Sequence, residues 1–270
     1  MKKFKILAFL LAVTFIAKAN GSKKNTYEFS KSYQESFSVS AGSTLDLDSD
    51  FSTVEIMDWS HNQLSVDITV SVDSKNESSA QDFLRKAEVE ISQSDNTVTV
   101  HTNFKGNHNW KHNSFDIHVV IKAPKSCKLN INHSFGSMMI GAFDEDTNIH
   151  SEYGSVTANA LTGSNNQFKV AFGSSVIYRF GGGNFHVEYG SAVIENLLNK
   201  CNFNNAFSEL EITEIECTEG EIVINNSYGN TTIGIPSNHS FSFDTHSSFG
   251  DVDLPKGLEY SQKNSDSFSS

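Results

Sequence analysis

In 270 residues the chain carries 32 acidic and 20 basic side chains, a net charge of −12. Such a balance repels phosphate, which excludes nucleic acid and disfavours an anionic membrane surface as partners. Arg85 and Arg179 are the only arginines, so no basic stripe is available.

Residues 1–19 read as a cleaved secretory signal. Lys2, Lys3 and Lys5 precede an apolar run from Ile6 to Ala17, and Ala17-Lys18-Ala19 places small residues where a signal peptidase needs them. The run is too short for a spanning helix and no later segment reaches that length, so no membrane span is expected. No cysteine follows it to carry a lipid. Without its four lysines, 16 basic residues face 32 acidic ones, a net charge of −16. The expected location is the periplasm or the cell surface.

Residues 20–258 read as one domain. Its first regular stretch is "LDLDSDFSTVEIMDW" (45–59), with Leu47, Phe51, Ile56 and Trp59 in a frame that returns later. An insertion at about 60–125 then breaks the frame. Within it, 64–72, 87–92, 97–102 and 115–121 alternate apolar and polar residues as strands do. Residues 77–87, "ESSAQDFLRKA", set Ala80, Phe83, Leu84 and Ala87 on one helical face. This region is expected to cap or widen one end of the fold.

From residue 131 the frame repeats. Its aromatics are Phe135, Tyr153, Phe172, Tyr189, Phe207, Tyr228 and Phe249, spaced 18, 19, 17, 18, 21 and 21 residues apart. A glycine follows in most copies: Gly136, Gly154, Gly173, Gly190, Gly229 and Gly250. Ser208 stands in that place once. Four residues before the aromatic come Ile131, Ile149, Phe168, Phe185, Phe203 and Ile224, with Thr245 breaking the series. Five after it come Ile140, Ala158, Ile177, Ile194, Ile212, Ile233 and Leu254.

Period-two alternation on each side of the aromatic makes each copy a pair of short strands. Such a pair cannot bury its apolar face alone, so the copies must stack. The expected fold is all-β, a single-stranded parallel β-helix (β-solenoid) of about eight short rungs. The glycine marks its corner, either by taking φ > 0 or by admitting the next coil's backbone. The aromatics, Phe51 included, are expected to form one ladder at that corner. A propeller blade would need about forty residues, twice the period seen. The polar stretch 259–270 reads as a disordered tail.

The first rung "DFSTVEIMDW", the downstream "LSVDITVSV", the lone helix, and "IHVVIKAP" leading into the Phe/Tyr-Gly repeats resemble a bacterial family of exported β-strand-repeat proteins labelled "putative adhesins", a domain family of unknown function. The resemblance covers residues 35 to 255. It implies a right-handed solenoid and brings no catalytic residues.

Candidate chemistry is sparse. His108 and His112 stand four apart, but among glycine, asparagine and lysine rather than on a helix. Three residues before the aromatic run Asn132, His150, Lys169, His186, Asn204, Asn225 and His246, a column that alternation turns to solvent. Asp144-Glu145-Asp146 reads as a solvated turn. Cys127, Cys201 and Cys217 are an odd count, with a Cys201–Cys217 disulfide left open. No catalytic, cofactor or metal residue is assigned and no enzyme is expected. The reading is a non-enzymatic envelope scaffold or adhesin-like protein whose partner is a protein or glycan of the cell envelope. Two alternatives stay open: a glycan-degrading β-helix enzyme, and a sensory or regulatory envelope protein linked to a sigma-factor system.

Overall fold

The structure, a computed structural model, describes residues 27–104, 113–216, 221–234 and 242–248. The expected signal segment and tail, His108, His112, Cys217, Phe249 and Gly250 lie outside them.

The N-terminal elements are β1 (Tyr27–Ser38), β2 (Thr44–Asp50), β3 (Thr53–Trp59), β4 (Gln63–Ser74), α1 (Glu77–Lys86), β5 (Ala87–Ser94), β6 (Thr97–Phe104) and β7 (Asn113–Pro124). The coils follow as β8 (Lys128–Ser134), β9 (Ser137–Phe143), β10 (Thr147–Glu152), β11 (Ser155–Leu161), β12 (Asn166–Ala171), β13 (Ser174–Phe180), β14 (Gly183–Glu188) and β15 (Ser191–Leu197). They end with β16 (Cys201–Ala206), β17 (Glu209–Ile215), β18 (Glu221–Ser227), β19 (Asn230–Ile233) and β20 (Ser242–Ser248).

Odd and even strands of the coils separate into two sheets, ordered β1-β4-β7-β3-β9-β11-β13-β15-β17-β19 and β20-β18-β16-β14-β12-β10-β8-β2-β6-β5. The coils pair in parallel: Ile149 stands beside Phe168, and Ala158 beside Ile177. This is the β-solenoid that the repeats require. Between Phe135 and Tyr228 the chain returns to the same corner at each coil, about five turns. The expected count of about eight rungs takes in the Phe51 copy, which the insertion separates along the chain from the others, and the Phe249 copy, whose aromatic lies outside the described residues.

Alternation puts one side chain in two between the sheets. Val54, Ile56, Ile131, Ile140, Ile149, Phe168, Ile177, Phe185, Ile194, Phe203 and Ile212 are all buried. Ile233, expected with them, is only partly buried because β19 is an edge strand. The position eight past the aromatic is filled by Phe143, Leu161, Phe180, Leu197 and Ile215, all buried. Trp59, its counterpart in the first copy, is instead partly exposed and donates its indole N–H to Gln63 O at 2.6 Å.

The insertion, together with β1, extends both sheets. β4 and β1 run antiparallel beyond β7, and β5 runs antiparallel beyond β6. The helix begins at Asn76, whose side chain accepts the Ser79 N–H at 3.1 Å, a standard N-cap. Its Phe83 is buried against Phe104 and Phe115, with ring centroids 4.9 and 5.3 Å away. β1 has no counterpart in the sequence reading.

The turns opposite the aromatic corner are pinned by one buried amide. Asn166 Nδ2 donates to Leu161 O, Gly163 O and Gly182 O at 3.2, 2.6 and 3.2 Å. Its Oδ1 accepts the Thr147 N–H at 2.9 Å and the Thr147 hydroxyl at 3.0 Å. A fully satisfied buried amide of this kind fixes a turn that apolar packing alone leaves free.

Candidate functional site

The chain passes from one sheet to the other at the aromatic residue. Phe51, Phe135, Tyr153, Phe172, Tyr189, Phe207 and Tyr228 all have φ between 50° and 58°. The left-handed residue is thus the aromatic, not the glycine after it. Gly136, Gly154, Gly173, Gly190 and Gly229 serve the close approach instead. A Cβ on Gly154 would collide with the carbonyl oxygen of Gly136, and one on Gly173 with that of Gly154. Those carbonyls accept the N–H groups of Ser155 and Ser174, each at 3.0 Å. The aromatic N–H donates to the neighbouring coil, Tyr153 to Ala171 O at 3.0 Å and Phe172 to Glu188 O at 2.9 Å. Ser208, in the glycine place, is buried; its hydroxyl donates to Ala206 O at 2.7 Å and accepts the Gly190 N–H at 3.0 Å.

The left-handed backbone throws each ring outward. Successive centroids from Phe51 to Tyr228 lie 4.7, 4.8, 4.9, 5.0, 5.0 and 4.9 Å apart, with rings within 7° of parallel. Phe115 meets the Phe51 end edge-on at 6.3 Å. Each ladder residue stays 38–52 % exposed. The ring faces are covered by their neighbours, so the exposed surface is a ridge of ring edges roughly 30 Å long at sheet-like spacing.

Polar columns flank the ridge. On one side Ser137, Ser155 and Ser174 are exposed. On the other, His150 pairs with Glu152 at 3.0 Å and His186 with Glu188 at 3.5 Å. Lys169 stands between the two histidines and Ala171 between the two glutamates. Glutamates on every coil would face like charges across one strand spacing, which the intervening alanine avoids. Farther out, Asn148 donates to Asn130 at 2.8 Å, Asn130 to Asp46 at 2.6 Å, and Asn202 to Asn184 at 3.1 Å. This amide ladder went unread in the sequence, although the polar column five residues before each aromatic from Phe51 to Phe207 was its signal.

The other candidates are structural. Asp144 accepts the Thr162 hydroxyl at 3.2 Å and Asp146 the Asn165 N–H at 2.9 Å, so the acidic turn holds its neighbour turn. Among the described residues no three His, Cys, Asp or Glu side chains gather as a metal would require. Cys127 and Cys201 are buried free thiols. Burial pushes the Cys127 thiol up to about 11 and that of Cys201 higher still.

Residues 43–269 match the family model described as Toastrack DUF4097. The chain belongs to this family. The match agrees with the resemblance carried by the Phe/Tyr-Gly repeats. Among solved structures, the Toastrack chain is similar to a "putative adhesin" from Parabacteroides distasonis at 16% identity, over 80% of this chain and 95% of that one, with a TM-score of 0.37. A "putative adhesin" from Parabacteroides merdae is 13% identical over 81% and 95%, with a TM-score of 0.31. A "putative lipid binding protein" from Parabacteroides distasonis is 10% identical over 80% and 95%, with a TM-score of 0.32. No curated protein matches the chain. Among the described residues no helix is long and apolar enough to cross a membrane.

Proposed function

We propose that this Toastrack chain is a non-enzymatic, exported scaffold of the cell envelope that holds a protein partner along its aromatic ridge. The observation that carries the reading is the ladder itself: seven large aromatic residues in register, each 38–52 % exposed, on a rigid stack of coils. Side chains of this size half-exposed in a row present on the order of 600 Å² of aromatic surface, approaching one side of a standard interface. An exposed apolar patch of that extent marks an interaction site.

The edge-on presentation selects the partner. Sugar rings bind aromatics by lying on the ring face, and along this ladder the faces are taken by neighbouring rings. Ring edges carry the positive side of the aromatic quadrupole and suit backbone carbonyls and apolar side chains. Glycan cleavage would need two carboxylates facing each other across a cleft. Glu152 and Glu188 stand two coils apart on an open corner, each engaged by its own histidine. Export is supported by the lysine-led apolar segment at the start of the chain.

The test is retention of the purified exported chain on envelope preparations left intact, stripped of protein by protease, or stripped of glycan by hydrolases. Retention lost with the protein and kept without the glycan supports the proposal. Loss on glycan removal alone would assign a glycan partner, and no retention on intact envelopes would refute the scaffold reading.

A further inference from the structure

The N-terminal strands join the regular coils at two places, β2 against β8 and β3 against β9. The second is short. β3 meets β9 through the four pairs from Thr53 to Ile56, whereas β11 meets β13 through six. Past Ile140 the Asp58 carboxylate takes the Ala142 N–H at 2.9 Å in place of a strand partner.

At the first joint the interior row turns polar. Thr102 of β6, Ser49 of β2, His133 of β8 and Ser151 of β10 stand in register and are all buried. In the next coils the same row holds Val170 and Val187. His133 Nδ1 lies 3.0 Å from Ser49 Oγ, across the joint. Its Nε2 has only a poorly aligned approach to the Gly136 backbone, and the hydroxyls of Ser151 and Thr102 make no hydrogen bond. Apart from the two thiols, His133 is the one fully buried titratable side chain among the described residues.

We propose that His133 is a pH-sensitive latch: neutral, it holds β2 to β8, and protonated, it loosens the N-terminal strands from the coils. An imidazolium here would be a charge in an apolar interior with no carboxylate partner. Asp50 next to the joint is the charged group that acts on it, together with the backbone of Ser49 and Gly136, and burial outweighs all three. Alternation turns the charged groups of the adjoining strands to the outer face. There Asp48 pairs with His101 at 3.2 Å, and His150 with Glu152.

Burial therefore holds the folded imidazole below its ordinary range near pH 6.5. As pH falls, the unfolded or opened chain takes the proton first. The latch contributes fully above about pH 6.5 and weakens through the window below it, down to the folded-state value.

The test is amide exchange, corrected for intrinsic rates, between pH 7.5 and 5 on the full chain and on His133→Asn, whose amide keeps a partner for Ser49. In the native chain, protection at Phe51 and Lys128, whose N–H groups bond across the joint to Ser134 O and Ser43 O, should fall roughly tenfold more than at Tyr189 and Phe207. In His133→Asn that difference should vanish. Equal loss at both places in the native chain, or an unchanged difference in the variant, overturns the latch. Should the variant not fold, the native His133 ring resonances decide: titration at or above pH 6.5 refutes the proposal.

Discussion

Tyr153 and Phe172 both take the left-handed backbone conformation, φ 55° and 52°, yet their rings lie 4.9 Å apart and within 7° of parallel. A bulky residue in that region carries about 1–2 kcal/mol of strain. The corner repeats it at seven aromatic positions. Stacking returns roughly 0.5–1.5 kcal/mol per pair, and the aromatic N–H groups from Phe51 to Phe207 are bonded to the adjacent coil. Strain and stacking are thus of the same size, and the rigid stack decides in favour of the outward ring.

That balance predicts an inverted substitution order. Phe172 is 47 % exposed, so Phe172→Ala should cost about 1–2 kcal/mol rather than the ~3–5 of a buried phenyl. Phe172→Gly relieves the left-handed strain that Ala retains and should be at least as stable as the Ala variant. Denaturant midpoints of the two variants check this. A Gly variant clearly weaker than the Ala variant would show that the corner is unstrained.

Gly173→Ala should act differently, because its Cβ would strike the Gly154 carbonyl. Overpacking of this kind costs about 1–3 kcal/mol. The damage should appear as faster amide exchange at Ser174 and Ser191, whose N–H groups bond to the Gly154 and Gly173 carbonyls. Gly42→Ala separates the two effects: its Cβ would meet nothing within 4 Å, but its φ of 75° makes Ala strained, so it should lower stability and leave exchange at Ser174 and Ser191 unchanged. Unchanged exchange at both serines in Gly173→Ala would remove close approach as the reason for the glycine column.

The thiols give a third prediction. With Cys127 raised to about 11 and Cys201 higher, both stay protonated at pH 8, and both are buried. A thiol reagent at pH 8 should label them only as fast as the chain unfolds. Labelling within the mixing time in the folded chain would contradict their burial.

The coils were legible because one phrase recurs with its apolar neighbours at fixed offsets, and stacking is the one way such units share a core. The strand β1 was legible too, and missed: Tyr27, Phe29, Tyr33 and Phe37 fall on one face of an alternating run. The backbone state of the aromatics was not legible, because local preference assigns φ > 0 to the glycine beside them. The Asn130–Asn148 bond needs the coil register, which the aromatic spacing supplies only once stacking is assumed. His133 differs from its column neighbours by a single residue, and its burial follows from β2 lying beside β8 across 84 residues of chain. The shared frame of the Phe51 and Phe135 copies implies that pairing, but the frame alone does not single out the histidine in the row.

The ring edges of this corner are the proposed contact surface. The direct measurement is envelope retention of a double variant, Phe172→Ser with Tyr189→Ser, beside Asn148→Ser with Asn184→Ser on the amide ladder, each confirmed as folded by its denaturation midpoint. The ridge variant should bind at least about tenfold more weakly, ~1.4 kcal/mol, with the amide variant unchanged. A folded ridge variant retained as strongly as the native chain would contradict the claim.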